Sequence, residues 1–416
     1  MGVYVYRFST QSERWVTFSA NQAVYADGKL ITGTITDRSG TVLSSAEDGG
    51  RSYADDPAVR IATLHAVGDR EGNIGTGALR AFSDRLSGYN PVTGISVNGS
   101  TVVLSIDAEL CKTAYDALAG RRGAVLLSDY TTGEILCMVS SPSYDPVTGF
   151  DLNDSRFDGV YLNRCLSAAY PPGSVFKLVT MAAAIENIPK LADRRFTCTG
   201  STLADGNEIH CTGVHGEQTI EQALANSCNC AFAELSLEIG GETLKKYAEK
   251  LGLTGQLTLD GIYTAAGNFD AAADGSAALA WSGIGQSTDL VTPYAMLRCV
   301  SAIAGGGSLT EPTLLAGEKG SSRRLLKADT AEQLKAMMNY NVAYAYGSWN
   351  FPGLTKLCAK SGTAEVGDGT SHAWFAGFLD DPEHPYAFTV LLENGGGGAR
   401  NAGPVANTVL QAAVQK

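Results

Sequence analysis

The sequence predicts an α+β fold in two units: a small, mostly β region over residues 1–98, then a larger unit over 99–416 built around an antiparallel sheet. Three observations predict it. Short strand-type runs and turns crowd the first hundred residues, strand patterns recur at both ends of the second unit, and helical spacing fills its middle. In the first unit, Val3 to Tyr6 and Leu30 to Thr36 read as strands, and Asp37 to Gly40 reads as a turn before Thr41-Val42-Leu43. The second unit opens with the strand Thr101 to Asp107 and a helix through Leu110, Ala114, Ala117 and Leu118. A hairpin follows, Gly123 to Leu127 and Glu134 to Val139, joined by the turn Asp129 to Gly133. Thr219-Ile220-Glu221-Gln222 reads as a capping box, and Phe232, Leu235 and Ile239 stripe a helix that Gly240-Gly241 stops. Strands then return at Leu354 to Val366, His372 to Leu379 and Tyr386 to Glu393, closed by a helix from Val405 to Val414.

Composition narrows the class of function. With 416 residues, 44% hydrophobic and 18% charged, the chain is globular and long enough for more than one core. A net charge of −12 and a pI near 4.9 argue against a nucleic-acid partner, which a basic face would serve. Any anionic ligand needs a local positive site. No run has the roughly 18 apolar residues of a membrane span.

Nine cysteines are too sparse for a disulfide framework, and their odd number leaves at least one thiol unpaired. Cys111, Cys137, Cys299 and Cys358 lie in apolar stretches and read as core residues. Cys198 and Cys211 bracket a polar loop, where a disulfide and two free thiols stand as alternatives. Zinc held by Cys198, Cys211, His210 and His215 is disfavoured, because neither a Cys-x-x-Cys nor a His-x3-5-His pair is present. No metal and no organic cofactor is expected.

Three short elements carry chemistry. Ser174-Val175-Phe176-Lys177 follows the rigid turn Tyr170-Pro171-Pro172-Gly173, and both Ser174 and Lys177 fall on the apolar stripe of Leu178, Met181, Ala182 and Ile185. That spacing turns the lysine inward, where lost solvation lowers its pKa and frees it to take a proton from a hydroxyl one turn away. The bland alternative is an N-cap serine with a snorkelling lysine. Ser227-Cys228-Asn229 is one of four Ser-x-Asn matches, with Ser19, Ser96 and Ser348, and it alone falls at a break between two helical stripes. Lys360-Ser361-Gly362-Thr363 lies on a strand-like segment and offers a positive charge, two hydroxyls and close backbone access, which suits an extended ligand bearing a carboxylate. Alone, it could equally be an exposed strand.

In this order the three elements resemble the Ser-x-x-Lys, Ser-Asp-Asn and Lys-Thr-Gly signature of the penicillin-recognising serine acyl-transferases, with Cys228 and Ser361 as departures. Gly123 to Pro146, Tyr170 to Gly173, Gly283-Ile284-Gly285-Gln286, Thr292-Pro293 and His372 to Phe378 extend the likeness to the transpeptidase domain of class B penicillin-binding proteins over roughly residues 99–416. Gly33 to Gly40 and Pro91-Val92-Thr93-Gly94 are most similar to the compact penicillin-binding protein A type. The resemblance implies a serine β-lactamase/transpeptidase-like fold: an antiparallel sheet with helices on both faces, plus an all-helical subdomain.

It also implies the chemistry. Ser174 would be the nucleophile toward the penultimate D-alanine carbonyl or a β-lactam ring, and Lys177 its base. Ser227 would relay protons, Asn229 would bond the substrate amide and Lys177, and Lys360 would supply the positive field. Ser361 and Thr363 would hold the terminal carboxylate, with Gly362 between them. The N–H groups of Ser174 and Thr363 would form the oxyanion hole. The implied partners are stem peptides ending in D-Ala-D-Ala, β-lactam antibiotics and a membrane glycosyltransferase of the cell-wall machinery. The implied place is the outer face of the cytoplasmic membrane, reached through an N-terminal helix that this chain does not show, and there a Cys198–Cys211 bridge gains weight.

Two alternatives differ in class. A β-lactamase or carboxypeptidase would use water in place of the amine. A class A β-lactamase needs a Glu-x-x-x-Asn, yet Glu221 is followed by Ala225 and Glu186 by Lys190. A non-catalytic sensor or scaffold would tolerate loss of Ser174 or Lys177, and both are present.

Overall fold

The computed structural model describes residues 32–47, 50–88, 99–354, 356–367 and 369–416, with position 10 and the backbone of 25–26 and 29–30. The runs Val3 to Tyr6 and Pro91 to Gly94 lie outside the described residues. In the first unit, β1 (Thr34–Thr36), β2 (Val42–Glu47) and β3 (Gly50–Tyr53) form antiparallel neighbours. The turn before β2 is built by Asp37, whose carboxylate accepts the N–H groups of Ser39 and Thr41 at 2.9 and 2.8 Å. Its other oxygen accepts the N–H of Ala108 at 3.1 Å, tying this turn to the second unit.

This region is more helical than its turn-rich sequence suggests. Helix α1 (Pro57–Val67) starts at Asp56, whose side chain accepts the Ala58 N–H, with Pro57 in the first position. Two further short helical turns follow at Ala78–Ala81 and Ser83–Leu86. These helices form the crossover to β4 (Thr101–Val103), which lies parallel to β1 and completes a sheet of order β3-β2-β1-β4. The strand expected to open the second unit therefore pairs with β1 of the first.

Helix α2 (Ala108–Leu118) follows, capped by Asp107 onto the Leu110 N–H. The hairpin forms as expected, from β5 (Gly123–Asp129) and β6 (Ile135–Ser141). A helical lobe contains α3 (Lys177–Asn187), the small ribbons β7 (Arg195–Cys198) with β10 (Gly216–Thr219) and β8 (Ser201–Ala204) with β9 (Asn207–His210), then α4 (Ile220–Ala225) and α5 (Asn229–Ile239). The capping box is formed: Thr219 accepts from the Gln222 N–H and Gln222 from the Thr219 N–H. The chain continues through α6 (Pro293–Ala304) and α7 (Ala328–Asn341) to the strands β11 (Leu357–Glu365), β12 (Ser371–Leu379) and β13 (Tyr386–Leu392), and ends in α8 (Gly403–Ala413).

The central sheet has the order β11-β12-β13-β5-β6, antiparallel throughout, so its two halves come from the two ends of the second unit. Helices cover both faces: α2 and α8 pack together on one side, and α6 and α7 lie on the other. Every residue of α6 is buried, which places it as the spine between sheet and helical lobe. Strand β11 is left as an edge, and there the site assembles.

His65 on α1 marks the closeness of the two units. Its ring is fully buried, Nε2 donates to the Val160 carbonyl at 2.7 Å, and Nδ1 has no partner. Burial therefore holds its pKa down, to about 4 from 6.5. The folded state favours the neutral ring, so the contribution is whole above pH 6.5 and falls as the pH drops toward 4. Denaturant titrations are expected to show a stability loss of about 3 kcal/mol by pH 4 from this group, and His65→Gln is expected to remove that part of the slope.

Candidate active site

The Tyr170 to Gly173 turn leads into a single 3-10 turn, Gly173–Val175, which carries Ser174 and passes into α3 at Lys177. Lys177 is fully buried, as its place on the apolar stripe predicts. Its Nζ lies 3.1 Å from Ser174 Oγ, 2.8 Å from Asn229 Oδ1, 3.3 Å from Ser227 Oγ and 2.6 Å from the Ser227 carbonyl. Lys360, on β11, is equally buried and donates to Ser227 Oγ at 3.0 Å. Five side chains from three separate stretches of chain thus converge on one point. The other Ser-x-Asn serines differ: Ser348 sits in an exposed 3-10 turn, and Ser19 and Ser96 lie outside the described residues.

Two buried amines sharing one hydroxyl set the electrostatics. Burial lowers Lys177 to about 7, and burial with the neighbouring Lys177 charge brings Lys360 well below its ordinary value. Among the described residues, no carboxylate is hydrogen-bonded to either amine to restore the charge. A neutral Lys177 amine can accept the Ser174 proton across their 3.1 Å contact, whereas an ammonium can only donate.

Ser227 occupies the break between α4 and α5 with φ +53°, a left-handed conformation that costs a non-glycine residue roughly 1–2 kcal/mol. It is held there by its N–H bond to the Leu224 carbonyl at 3.1 Å and by the Lys177 bond to its own carbonyl. Asn229 is oriented from two sides: Oδ1 accepts from Lys177, and Nδ2 donates to the His210 carbonyl at 2.9 Å.

On β11, Gly362 permits the close approach expected of it, since a Cβ there would lie 2.8 Å from the Pro172 carbonyl oxygen. Ser361 departs from expectation. It is paired across the sheet with Phe375, on the face opposite Lys360, and both its N–H and its hydroxyl engage Tyr346 Oη, at 2.9 and 3.2 Å. Thr363 is exposed, and its Oγ1 accepts the Gly398 N–H at 3.3 Å. Tyr346 escaped the sequence reading; a tyrosine in a run of aromatics carries no spacing signal, and only the turn of chain after α7 brings it to the β11 edge.

A family model for the penicillin binding protein transpeptidase domain matches residues 123–411. The peptidoglycan D,D-transpeptidase PbpA of Mycobacterium tuberculosis is 30% identical over 381 residues, 81% of this chain and 76% of that protein. The chain belongs to the penicillin-binding protein transpeptidase family. It is a class B member of PbpA type. Among solved structures, the ceftriaxone acyl-enzyme complex of M. tuberculosis penicillin-binding protein A superposes with a TM-score of 0.79 at 26% identity, covering 92% of this chain and 98% of that one. The D,D-transpeptidase domain from Eggerthella lenta gives the same TM-score, identity and coverage. The serine β-lactamase/transpeptidase-like fold expected from the motifs is therefore the fold of this transpeptidase domain.

Beyond the three motifs, the Gly283 to Gln286 segment supports the Ser174 turn directly. Gly173 N–H donates to the Gly285 carbonyl at 2.8 Å, and a Cβ on Gly285, which has φ +80°, would sit 2.0 Å from the Gly173 carbonyl oxygen. Gly285→Ala is expected to displace the turn and slow acylation by a fluorescent penicillin by about 100-fold, with the far-ultraviolet circular dichroism of the folded chain retained.

Proposed function

We propose that the protein is a peptidoglycan D,D-transpeptidase that cross-links stem peptides through an acyl-enzyme on Ser174 and is acylated by β-lactams. The observation that carries this reading is the contact of Ser174 Oγ with the buried Lys177 amine inside the Ser227, Asn229 and Lys360 cluster. Ser174 Oγ attacks the carbonyl of the penultimate D-alanine as its proton passes to Lys177 Nζ. The tetrahedral intermediate collapses with loss of the terminal D-alanine, whose nitrogen takes a proton through Ser227 Oγ, placed between the two lysine amines. An amine of a neighbouring stem peptide then attacks the ester, closes the cross-link and frees Ser174.

The oxyanion is assigned to the N–H groups of Ser174 and Thr363. Amides two residues apart on a strand point the same way, and the Ser361 N–H faces outward to Tyr346, so that of Thr363 faces outward too. There the Ser174 turn is close, because the Cβ position of Gly173 lies 2.7 Å from the Thr363 carbonyl oxygen. Lys360 supplies the positive field for the substrate carboxylate, and Thr363, exposed at the strand edge, is its hydroxyl partner. Ser361 acts with Tyr346, its hydroxyl and amide both bonded to the phenol oxygen. The substrate class places the reaction outside the cytoplasmic membrane, beside the glycosyltransferase that supplies the glycan strands.

Ser174→Ala is expected to abolish labelling by fluorescent penicillin, and persistence of labelling at the wild-type rate would reject the nucleophile assignment. Intact mass after benzylpenicillin is expected to show one lasting adduct; rapid return to the unmodified mass would favour a β-lactamase. Lys177→Arg should lose acylation although charge is kept, because a guanidinium stays protonated. In the wild type, the neutral amine is scarce below pH 7. Acylation rates measured from pH 5.5 to 8 are therefore expected to rise about tenfold per pH unit and then level above about pH 7, where Lys177 loses its proton.

A further inference from the structure

Beside the catalytic turn, four side chains from three different stretches of chain point at one another. Cys198 ends β7, Cys211 follows β9, His215 precedes β10, and Cys228 lies between α4 and α5. Their three sulfurs and one ring nitrogen all lie within 4.8 Å of each other. All nine cysteines are free, so Cys198 and Cys211 are not bonded to each other. Cys211 Sγ is 3.8 Å from Cys228 Sγ and 3.5 Å from His215 Nδ1.

Those distances have a simple source. A tetrahedral ion with zinc–sulfur bonds of about 2.3 Å and a zinc–nitrogen bond of about 2.0 Å sets its sulfurs about 3.8 Å apart, and sulfur and nitrogen about 3.5 Å apart. A disulfide would use two sulfurs and leave the convergence of His215 and a third cysteine without cause. Burial also suits a closed structural site: Cys198 and Cys228 are buried, and Cys211 and His215 are partly covered. The Cys211 sulfur already accepts a backbone N–H bond, from Asn229 at 3.2 Å, as a metal-bound thiolate requires to spread its charge.

We propose that Cys198, Cys211, His215 and Cys228 bind one zinc ion. Binding releases the thiol protons to solvent and needs no oxidant or reductant. The expectation of no metal rested on linear spacing, which shows only Cys211-x3-His215. The other two ligands arrive through the β7–β10 ribbon and the α4–α5 break.

The ion has a second consequence, because Cys228 separates Ser227 from Asn229. A bond from zinc to Cys228, with the Asn229 amide on Cys211, anchors both ends of the left-handed turn that presents Ser227 to the two lysines. The four ligands are therefore positioning residues for the acyl-transfer site, while the metal content itself is independent of any activity.

The test uses the whole chain purified under reducing conditions without chelator. Metal analysis is expected to give about one zinc per chain. Cys211→Ser and His215→Ala are expected to lose it, and Cys299→Ser, buried elsewhere, to keep it. Should the ligand variants fail to fold, the wild type answers alone: after zinc is stripped, cobalt(II) should produce the visible bands of a tetrahedral thiolate-bound ion, bleached by added zinc. No zinc and no cobalt bands in the reduced protein would overturn the proposal, as would an intact mass two hydrogens lighter showing a Cys211–Cys228 disulfide in metal-free protein. Stripping zinc should also slow acylation by fluorescent penicillin at least about tenfold, with recovery on adding it back. An unchanged rate in the stripped protein would overturn the positioning role.

Discussion

Two lysine amines buried against one serine hydroxyl are the constraint on which the rest of the structure depends. Each amine would hold its proton in water. Here the interior removes that solvation from both, and the Lys177 charge lowers Lys360 further, so Lys177 can lose its proton near neutral pH. Their neighbours are hydroxyls, carbonyls and an amide, all able to bond a neutral amine as well as a charged one. A carboxylate beside either lysine would undo the arrangement by stabilising the ammonium form. The acidic character of the chain as a whole is thus kept away from the one place where a positive field is needed.

Bringing three distant stretches of backbone to that point requires that side chains be absent where main chains meet. Gly173, Gly285 and Gly362 lie where the Ser174 turn passes the β11 edge on one side and the Gly283 to Gln286 segment on the other. A Cβ on any of them would enter the space of a carbonyl oxygen. Around this contact the fit is closed by large groups. Trp374 packs under Gly362 and donates to the Pro171 carbonyl at 2.9 Å, while Tyr170 bonds Glu393 at 2.7 Å. The strain at Ser227, whose left-handed backbone no local preference favours, is held separately, by its N–H bond to the Leu224 carbonyl and the Lys177 bond to its own carbonyl.

Much of this was legible from spacing. Periodicity placed Lys177 on an apolar stripe and so predicted its burial, and the caps at Asp107 and Thr219 marked helix starts that the structure reproduces. What spacing missed shares a physical cause. Ser361 looked like an open hydroxyl because strand alternation says which faces differ, and does not say what waits on each; the waiting group is Tyr346, from a segment with no pattern of its own. The helix Pro57–Val67 likewise carries its own cap and proline signal, yet in a region dense with turns its apolar face gained meaning only from the second unit that covers it.

Residue chemistry and short-range periodicity were enough to predict the α+β class, the pairing of strands from both ends of the second unit and the burial of Lys177, while the roles of the candidate site residues came from the family resemblance of the three motifs. Each of these predictions depends on interactions within a few residues, or on the simple need of apolar stripes to be covered. The union of β4 with the first sheet, the partner of Ser361 and the gathering of Cys198, Cys211, His215 and Cys228 were settled by folding alone. Those features depend on which surfaces meet across 15 residues of chain at Ser361 and Tyr346, on a strand pairing that joins Thr34 to Thr101, or on how three separate segments close around one point. Distances of that kind are set by the packing of sheet and lobe, and no linear spacing encodes them.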